Sequence, residues 1–531
     1  MSLRVSAPSL ANVSPSVALE KGVYYRTRSS HKRTASSINS PNPYISRSLP
    51  PRNQQNTKLV ALLLLLVLAC VTCFGIAYFL FKTRWATPTQ SFTRAQHANM
   101  PTPKVNASIL ANLEPLQGEA RALHPKERFL AYLPHSGFHN QRIALENALV
   151  LARLLNRTLI VPPVRLGNKP IPYYPFDRLS HQLTLADKTD LGYCTRVPFK
   201  ISAPPECLDY FDYTYVPWDW LVNLTSVKAK QKLHPRFNFD SNWVYTTLGI
   251  SEEHIWYLRD QTPYQFRFVD SPRRVDENSL YSEDIHLDFL AEQTQKLLFF
   301  GTLFGSSRLR LREKTHQAVR KEIREAMTIM NPILNSISES IYRALGRAYL
   351  AIHLRADEPK FRNDGESNAR TLWWTLLYRF LNLTTDDTIR LEEQIQGTMT
   401  SYVATTNSTN QPPLQHFPHL LTLGLLGLKP PLLYIATDLR ETQVQPLLKR
   451  FRATFPCSFD LSNFTRHLAS LDHLVNKVDG VPLRSHLLPF IDALVAAKAL
   501  RVVGTKGSTF SYYVEDVLWR RIHKLPIKQR G

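Results

Sequence analysis

Apolar residues along the chain fall first into one unbroken block and then into short alternating ones. Leu59–Phe81 reads LVALLLLLVLACVTCFGIAYFLF, 23 residues without a charge. At about 1.5 Å per residue a helix of that length spans roughly 34 Å, enough for a bilayer core. The block is therefore predicted to be a single transmembrane helix, with Lys58 at one end and Lys82 and Arg84 at the other. Its length and the 58 residues before it argue against a cleaved signal peptide.

Beyond it the pattern alternates strands and helices. Arg128–Leu133 (RFLAYL) predicts a short buried strand and Pro134–Asn140 a turn. Gln141–Leu155 carries apolar residues at helical spacing, and Thr158–Val161 predicts a second strand stopped by two prolines. Strand, loop, helix and strand in this order form the building block of a parallel sheet. Residues 164–290 are less regular and rich in Pro, Tyr and Trp. Lys296–Phe304 then predicts a buried strand, 308–329 a basic helix, Leu334–Arg347 a helix and Ala348–Leu354 a strand. After a polar insertion at 385–429 come a strand at Leu432–Ala436, a helix at Leu487–Leu500 and a strand at Arg501–Gly504. The loop Thr505–Thr509 opens a closing helix over about 510–521.

Two alternating regions around an irregular middle predict an α/β chain with two doubly wound domains facing a cleft, at 125–330 and 331–531. Residues 1–58 look like a disordered basic tail and 82–124 like a stem. No internal repeat is evident.

Charge changes the picture in one respect. The net charge is +22, of which +8 lies in residues 1–58, where nine Lys/Arg meet one acid. Counted close to the membrane ends, basic residues tie; the whole tail tips orientation toward a cytoplasmic N-terminus. Sequons at Asn106, Asn156, Asn223, Asn382, Asn407 and Asn463 all lie beyond the apolar block, in agreement with a lumenal C-terminal part. This predicts a single-pass type II protein of the Golgi or endoplasmic reticulum membrane. The basic tail then needs no nucleic-acid partner. Of five cysteines, Cys70 and Cys73 lie in the apolar block. Cys194 and Cys207 are expected to pair in an oxidising lumen, leaving Cys457 buried.

In doubly wound sheets ligands bind beyond the carboxyl ends of strands, so three loops carry the candidate chemistry. Ser136-Gly137-Phe138-His139-Asn140 precedes a helix, where unpaired amides favour an anion. Gly137 suits an unusual backbone angle or a close approach, and the plainer alternative makes Asn140 a helix cap. Ala348–Asp357 (AYLAIHLRAD) ends in His353, Arg355 and Asp357, which two-residue spacing puts on one face of an extended segment. An arginine there can clamp phosphate with its forked donors; the alternative is a structural Arg355–Asp357 pair. Gly504–Ser511 (GTKGSTFS) offers amides and hydroxyls at a helix start but lacks P-loop spacing. No two aspartates sit two apart, so there is no D-x-D for a metal-held diphosphate. No metal and no cofactor is expected.

Together these segments resemble the GDP-fucose protein O-fucosyltransferase family, in a fungal-type form nearer the branch that acts on EGF-like repeats. The resemblance rests on SGFHNQRIALENALVLARLLNRTLIVPP (136–163), YLAIHLRAD (349–357), LLYIATD (432–438) and LPFIDALVAAKALRVVGTKGSTFS (488–511). It implies a GT-B-like fold of two Rossmann-like domains, with GDP-fucose held mainly by the second, no metal, and inversion at the sugar carbon. It maps His353 and Arg355 onto the family's H-x-R, with Arg355 stabilising the leaving diphosphate. Asp492 maps onto the residue that reads the guanine, and Ser508, Thr509 and Phe510 onto the turn that touches phosphates and base. Asn140 maps onto the turn asparagine near the reacting centre, with Gly137 and His139 of the same turn as further GDP-fucose-binding candidates, and Asp438 maps onto a strand end. Ala356 stands where a second arginine is common, and His139 where a glycine is.

The acceptor is expected to be a hydroxyl, on Ser/Thr of a secretory-pathway protein or on a glycan. His139, Glu146 and the leaving phosphate are the candidate bases. Two rivals remain: an enzyme using another GDP-sugar or a glycan acceptor, and a non-catalytic lectin-like or scaffold protein. In the second, the aromatic run Tyr210–Trp220 would stack on sugars, though a core is its plainer use.

Overall fold

The computed structural model describes residues 126–197, 203–236, 238–240, 242–271, 279–405, 431–439 and 441–529, together with Thr72. The expected tail, stem and, Thr72 aside, membrane-spanning block lie outside the described residues, as do Asn106 and Asn407. Among the described residues no helix is long and apolar enough to cross a membrane. From Lys126 onward the described residues cluster as one compact unit.

β1 (Phe129–Tyr132) leads through a tight loop into α1 (Phe138–Leu154) and on to β2 (Thr158–Val161). Among the described residues the irregular middle then holds six strands, β3 (Val164–Gly167), β4 (Tyr213–Val216), β5 (Leu233–Pro235), β6 (Ile255–Leu258), β7 (Phe266–Val269) and β8 (Glu283–His286). β9 (Leu297–Phe300) and β10 (Leu309–Arg310) follow. The expected basic helix over 308–329 is thus shorter, α2 (Lys314–Ala326), because its first residues pair with β7 as β10.

The first sheet runs β5-β2-β1-β9-β6, with every pairing parallel. β1 and β9 are buried throughout, as parallel strands covered on both faces are. α1 is buried almost all round. It starts three residues earlier than its apolar spacing suggests, because Gly137 takes the cap position.

α3 (Pro332–Ala344) opens with Asn331 accepting from the amides of Ile333 at 3.0 Å and Leu334 at 3.2 Å. Proline follows at the first helical position, where a missing N–H costs nothing. It leads into β11 (Tyr349–Leu354), then α4 (Gly365–Thr375) and α5 (Thr385–Thr405), the described part of the expected insertion. β12 (Leu432–Thr437), α6 (Glu441–Thr454), β13 (Ser458–Phe459), α7 (Arg484–Lys498), β14 (Arg501–Gly504) and α8 (Thr509–Tyr513) complete the chain. α8 continues through a wider-wound stretch, Val514–Trp519. The second sheet runs β13-β12-β11-β14, again all parallel.

One apolar cluster joins the two sheets. It takes Leu130 and Leu298 from the first and Tyr349, Ala351 and Tyr434 from the second. A buried polar link ties them again: Lys188 Nζ lies 3.0 Å from Asp479 and donates to the Tyr210 carbonyl at 2.7 Å. Asp479 also accepts from Thr214 Oγ1 at 2.8 Å. Cys194 and Cys207, joined by a disulfide with Cα atoms 5.4 Å apart, pack beside it with Tyr210 and Val481. Tyr210, Tyr213, Trp218 and Trp220 of the aromatic run are buried in the core, while Phe211 keeps 40% of its surface. Cys457, expected to be buried, is exposed at the edge of the second sheet.

Candidate functional site

Three loops meet at the carboxyl ends of β11, β12 and β14, because His353 lies in register with Ala436 on one side and Gly504 on the other. Asp438, just past β12, accepts from the amides of Ala356 at 2.8 Å and Asp357 at 3.1 Å. Its carboxylate also lies 2.8 Å from the Arg355 guanidinium. Thr505, just past β14, accepts at Oγ1 from the Arg355 amide at 2.9 Å, and its own amide donates to the His353 carbonyl at 3.0 Å. Backbone and head of Arg355 are therefore fixed by separate loops. The side chain keeps 34% of its surface, and Glu358 lies 3.5 Å from its other nitrogen. One guanidinium faces two carboxylates and remains within reach of an incoming anion.

His353 is buried, with Nδ1 2.7 Å from Ser511 Oγ and its ring against Phe510. Burial, reinforced by the Arg355 charge, pushes its pKa down to about 3, so the ring is neutral at physiological pH. Ser508 caps α8, its hydroxyl accepting from the Ser511 amide at 3.2 Å. Asp492, on α7, accepts from the Tyr434 hydroxyl at 2.5 Å and the Thr437 amide at 3.2 Å. Withdrawal from water outweighs those bonds and pushes its pKa up to about 7.

The first sheet supplies the facing loop. Ser136 takes a positive φ of 65°. Gln141 clamps the turn: its Nε2 donates to the carbonyls of Ser136 and Arg165, both at 2.9 Å, and its Oε1 accepts from the Arg165 amide. His139 sits in the ring cluster of Phe510 and Tyr513, with centroids 6.4 and 5.1 Å away. Asn140 Oδ1 accepts from Thr509 Oγ1 at 3.3 Å. The predicted first turn and the predicted last turn thus touch.

No family model matches the chain. A stretch of 38 residues, 7% of the chain, is 58% identical to O-fucosyltransferase 30 of Arabidopsis thaliana and spans 8% of that protein's length. Among solved structures, POFUT1 in complex with GDP-fucose aligns over 76% of the chain and 97% of its own length, at 12% identity and a TM-score of 0.33. POFUT1 in complex with GDP aligns over 76% and 98%, at 12% identity and a TM-score of 0.34.

Several expectations from the residues alone are corrected. Gly137 has an ordinary φ of −72°, and the strained angle falls on Ser136. Nor does anything approach it closely, since a Cβ there would meet nothing within 4 Å. Asn140 is no cap; it lies inside the first turn of α1, and its side chain turns to Thr509. Asp357 does not share a strand face with Arg355, because β11 ends at Leu354. It pairs with Arg362 at 2.9 Å, and Arg355 takes Asp438 instead. Glu146 is fully enclosed between Arg324, 2.6 Å away, and Arg142, 3.1 Å away. Burial works to raise its pKa, but the two arginines outweigh that and hold it below the usual range. A carboxylate so held is a poor base.

Sequence reasoning missed Gln141, Thr505 and Ser511. The first stands beside the assigned asparagine, and the other two flank the assigned turn. Only their hydrogen bonds single them out.

Proposed function

We propose that the chain is a glycosyltransferase that moves fucose from GDP-fucose to a hydroxyl acceptor, on Ser/Thr of a secretory-pathway protein. In this reading residues 331–531 hold the donor and 125–330 present the acceptor. The observation that carries it is the juxtaposition of Arg355, at the end of β11, with the Ser508–Thr509 turn and with Asn140 opposite. The four sequence segments described above support it. So does the short, high-identity match to a protein named as an O-fucosyltransferase.

The chemistry follows from charge. As the bond between the sugar carbon and the β-phosphate oxygen breaks, negative charge grows on the diphosphate. Arg355 meets it with a preorganised cation, and the opening turn of α8 with amides and hydroxyls. One such donor is worth about 3–4 kcal/mol, roughly 100–1000-fold in rate. The acceptor oxygen attacks from the opposite face, inverting the carbon. With Glu146 locked away and Asn140 an amide, the acceptor proton goes to the departing phosphate or to His139. The missing D-x-D supports a metal-free reaction. The expected type II topology would place this unit in the Golgi or endoplasmic reticulum lumen, anchored by Leu59–Phe81.

The test is turnover of a panel of nucleotide sugars by the purified full chain with peptide, glycan and water acceptors, with and without chelator. Fucose transfer that survives chelation supports the reading. No turnover and no GDP binding would reject it. Preference for another GDP-sugar would correct the donor.

A further inference from the structure

The partner of His353 has a consequence for what that histidine presents to a ligand. Ser511 is entirely enclosed and His353 nearly so, and their polar atoms lie 2.7 Å apart. A neutral imidazole carries one donor and one acceptor nitrogen, and the hydrogen bond made by one nitrogen decides the role of the other. Two arrangements fit the distance. If Nδ1–H donated to Ser511, the serine's own hydrogen would need a second acceptor. Among the described residues none is found within hydrogen-bond reach other than the histidine. A buried donor left unmade costs more than an acceptor lone pair left unused. Either arrangement leaves one hydrogen without a protein partner, on the Ser511 hydroxyl or on Nε2. Ser511 is wholly enclosed whereas His353 keeps 5% of its surface, so the arrangement with Ser511 O–H donating to Nδ1 costs less.

The fold makes room for this contact at one point. Gly504 ends β14 in register with His353. A Cβ there would lie 2.5 Å from Ser511 Cβ and 3.0 Å from its Oγ. The Gly504 amide is in turn taken by Glu515, from the continuation of α8. The absent side chain lets α8 settle onto the strand end, which brings Ser511 to the ring.

We infer that Ser511 is a positioning residue that locks His353 as the Nε2–H tautomer, so that this histidine offers the site a hydrogen-bond donor and not a proton acceptor. Nε2 has no protein partner among the described residues, and it is the nitrogen left for a ligand. Resting on the proposed function, the ligand group would be an oxygen of the sugar diphosphate. His353 is then excluded as the base, and its donor adds to the cation of Arg355.

The test is direct. The full chain is labelled with 15N-histidine, and its ring nitrogens are read by two-bond proton–nitrogen correlation, with His353 assigned by its loss in His353→Gln. The expected result is an acceptor-type Nδ1 and a protonated Nε2 at every pH from about 5 to 9. Ser511→Ala should mix or reverse the tautomers, and should lower turnover about tenfold while leaving KM for the acceptor unchanged. A wild-type ring protonated on Nδ1 overturns the inference, as does an unchanged ring in Ser511→Ala. Should that variant not fold, the wild-type spectrum alone decides. Calorimetric titration with GDP reports separately on the donor reading. Absent GDP binding beside the expected tautomer would sink that reading and leave the inference standing.

Discussion

Thr509 donates a hydrogen bond to Asn140 across 369 positions of the chain, Oγ1 to Oδ1 at 3.3 Å. The bond closes the loop after β1 onto the first turn of α8, so two segments that each look like an ordinary helix start become one site. A neutral, partly buried bond of this length contributes about 0.5–1 kcal/mol. A double-mutant cycle of Asn140→Ala and Thr509→Val should therefore show a coupling of about 1 kcal/mol or less in urea unfolding. Activity should respond more strongly. Asn140→Ala is expected to lose more than about tenfold in turnover, beyond what 1.4 kcal/mol of transition-state stabilisation represents. Near-normal turnover by Asn140→Ala would remove the asparagine from the reacting centre.

Arg355 separates chemistry from folding in the opposite sense. Its ion pairs with Asp438 and Glu358 are partly exposed, with a third of the guanidinium side chain open to solvent. Pairs of that kind contribute about 0–1 kcal/mol. Arg355→Ala should thus unfold within about 1 kcal/mol of the parent while transferring fucose about 100–1000-fold more slowly. Arg355→Lys should recover little, because a single ammonium cannot span two oxygens as the forked guanidinium does. A lysine variant of parental activity would show that only a positive charge is needed there.

Asp492 gives the proposed donor site a pH dependence. Its pKa is pushed up to about 7 by withdrawal from water, against the bonds from Tyr434 and Thr437, and with Asp460 and Asp438 adding to the rise. The folded value lies above the ordinary 3.8, so the folded form holds its proton through a range where an unfolded chain has lost it. Only above about 7 does a carboxylate stand ready to accept from a guanine edge. GDP affinity is expected to climb as pH rises from 6 to 8, and Asp492→Asn should flatten the climb at the low-pH level. Calorimetry at a series of pH values checks both; a pH-independent affinity would exclude Asp492 from the base pocket.

How far the sequence alone reaches depends on the range of the interactions. The unit β1–α1–β2 is legible because its periodicity and turn residues are local, and β11, β12 and β14 are legible for the same reason. β3 to β8 are not, since strands of three or four residues are too short for a period of two to stand out, and β8 (Glu283–His286) is mostly polar. Arg355 and the Ser508–Thr509 turn are visible as residue types at strand ends. Their partners are not: Asp438 lies 83 positions from Arg355, and Thr505 reaches it from 150. Proximity in the chain suggests Asp357 as an alternative partner, but β11 ends at Leu354 and Asp357 pairs with Arg362. Glu146 looked like a possible base until Arg324, 178 positions away, closed on it.

That enclosure of Glu146 makes the last prediction one of stability. Arg142 and Arg324 flank the carboxylate and all three are buried. Removing one member of such a group leaves uncompensated charge inside the protein, at a cost of about 3–5 kcal/mol. Glu146→Ala should show that loss in its urea midpoint, together with the lower yield of a destabilised chain. The pH dependence has a definite sign. The folded pKa lies below the ordinary 4.5, so the carboxylate's contribution is complete above that value and is lost as pH falls through the folded one. Between pH 5 and 8 Glu146 should leave stability flat, and its share of acid unfolding should vanish in Glu146→Gln. A Glu146→Ala chain as stable as the parent but inactive would reverse the assignment and return this carboxylate to the chemistry.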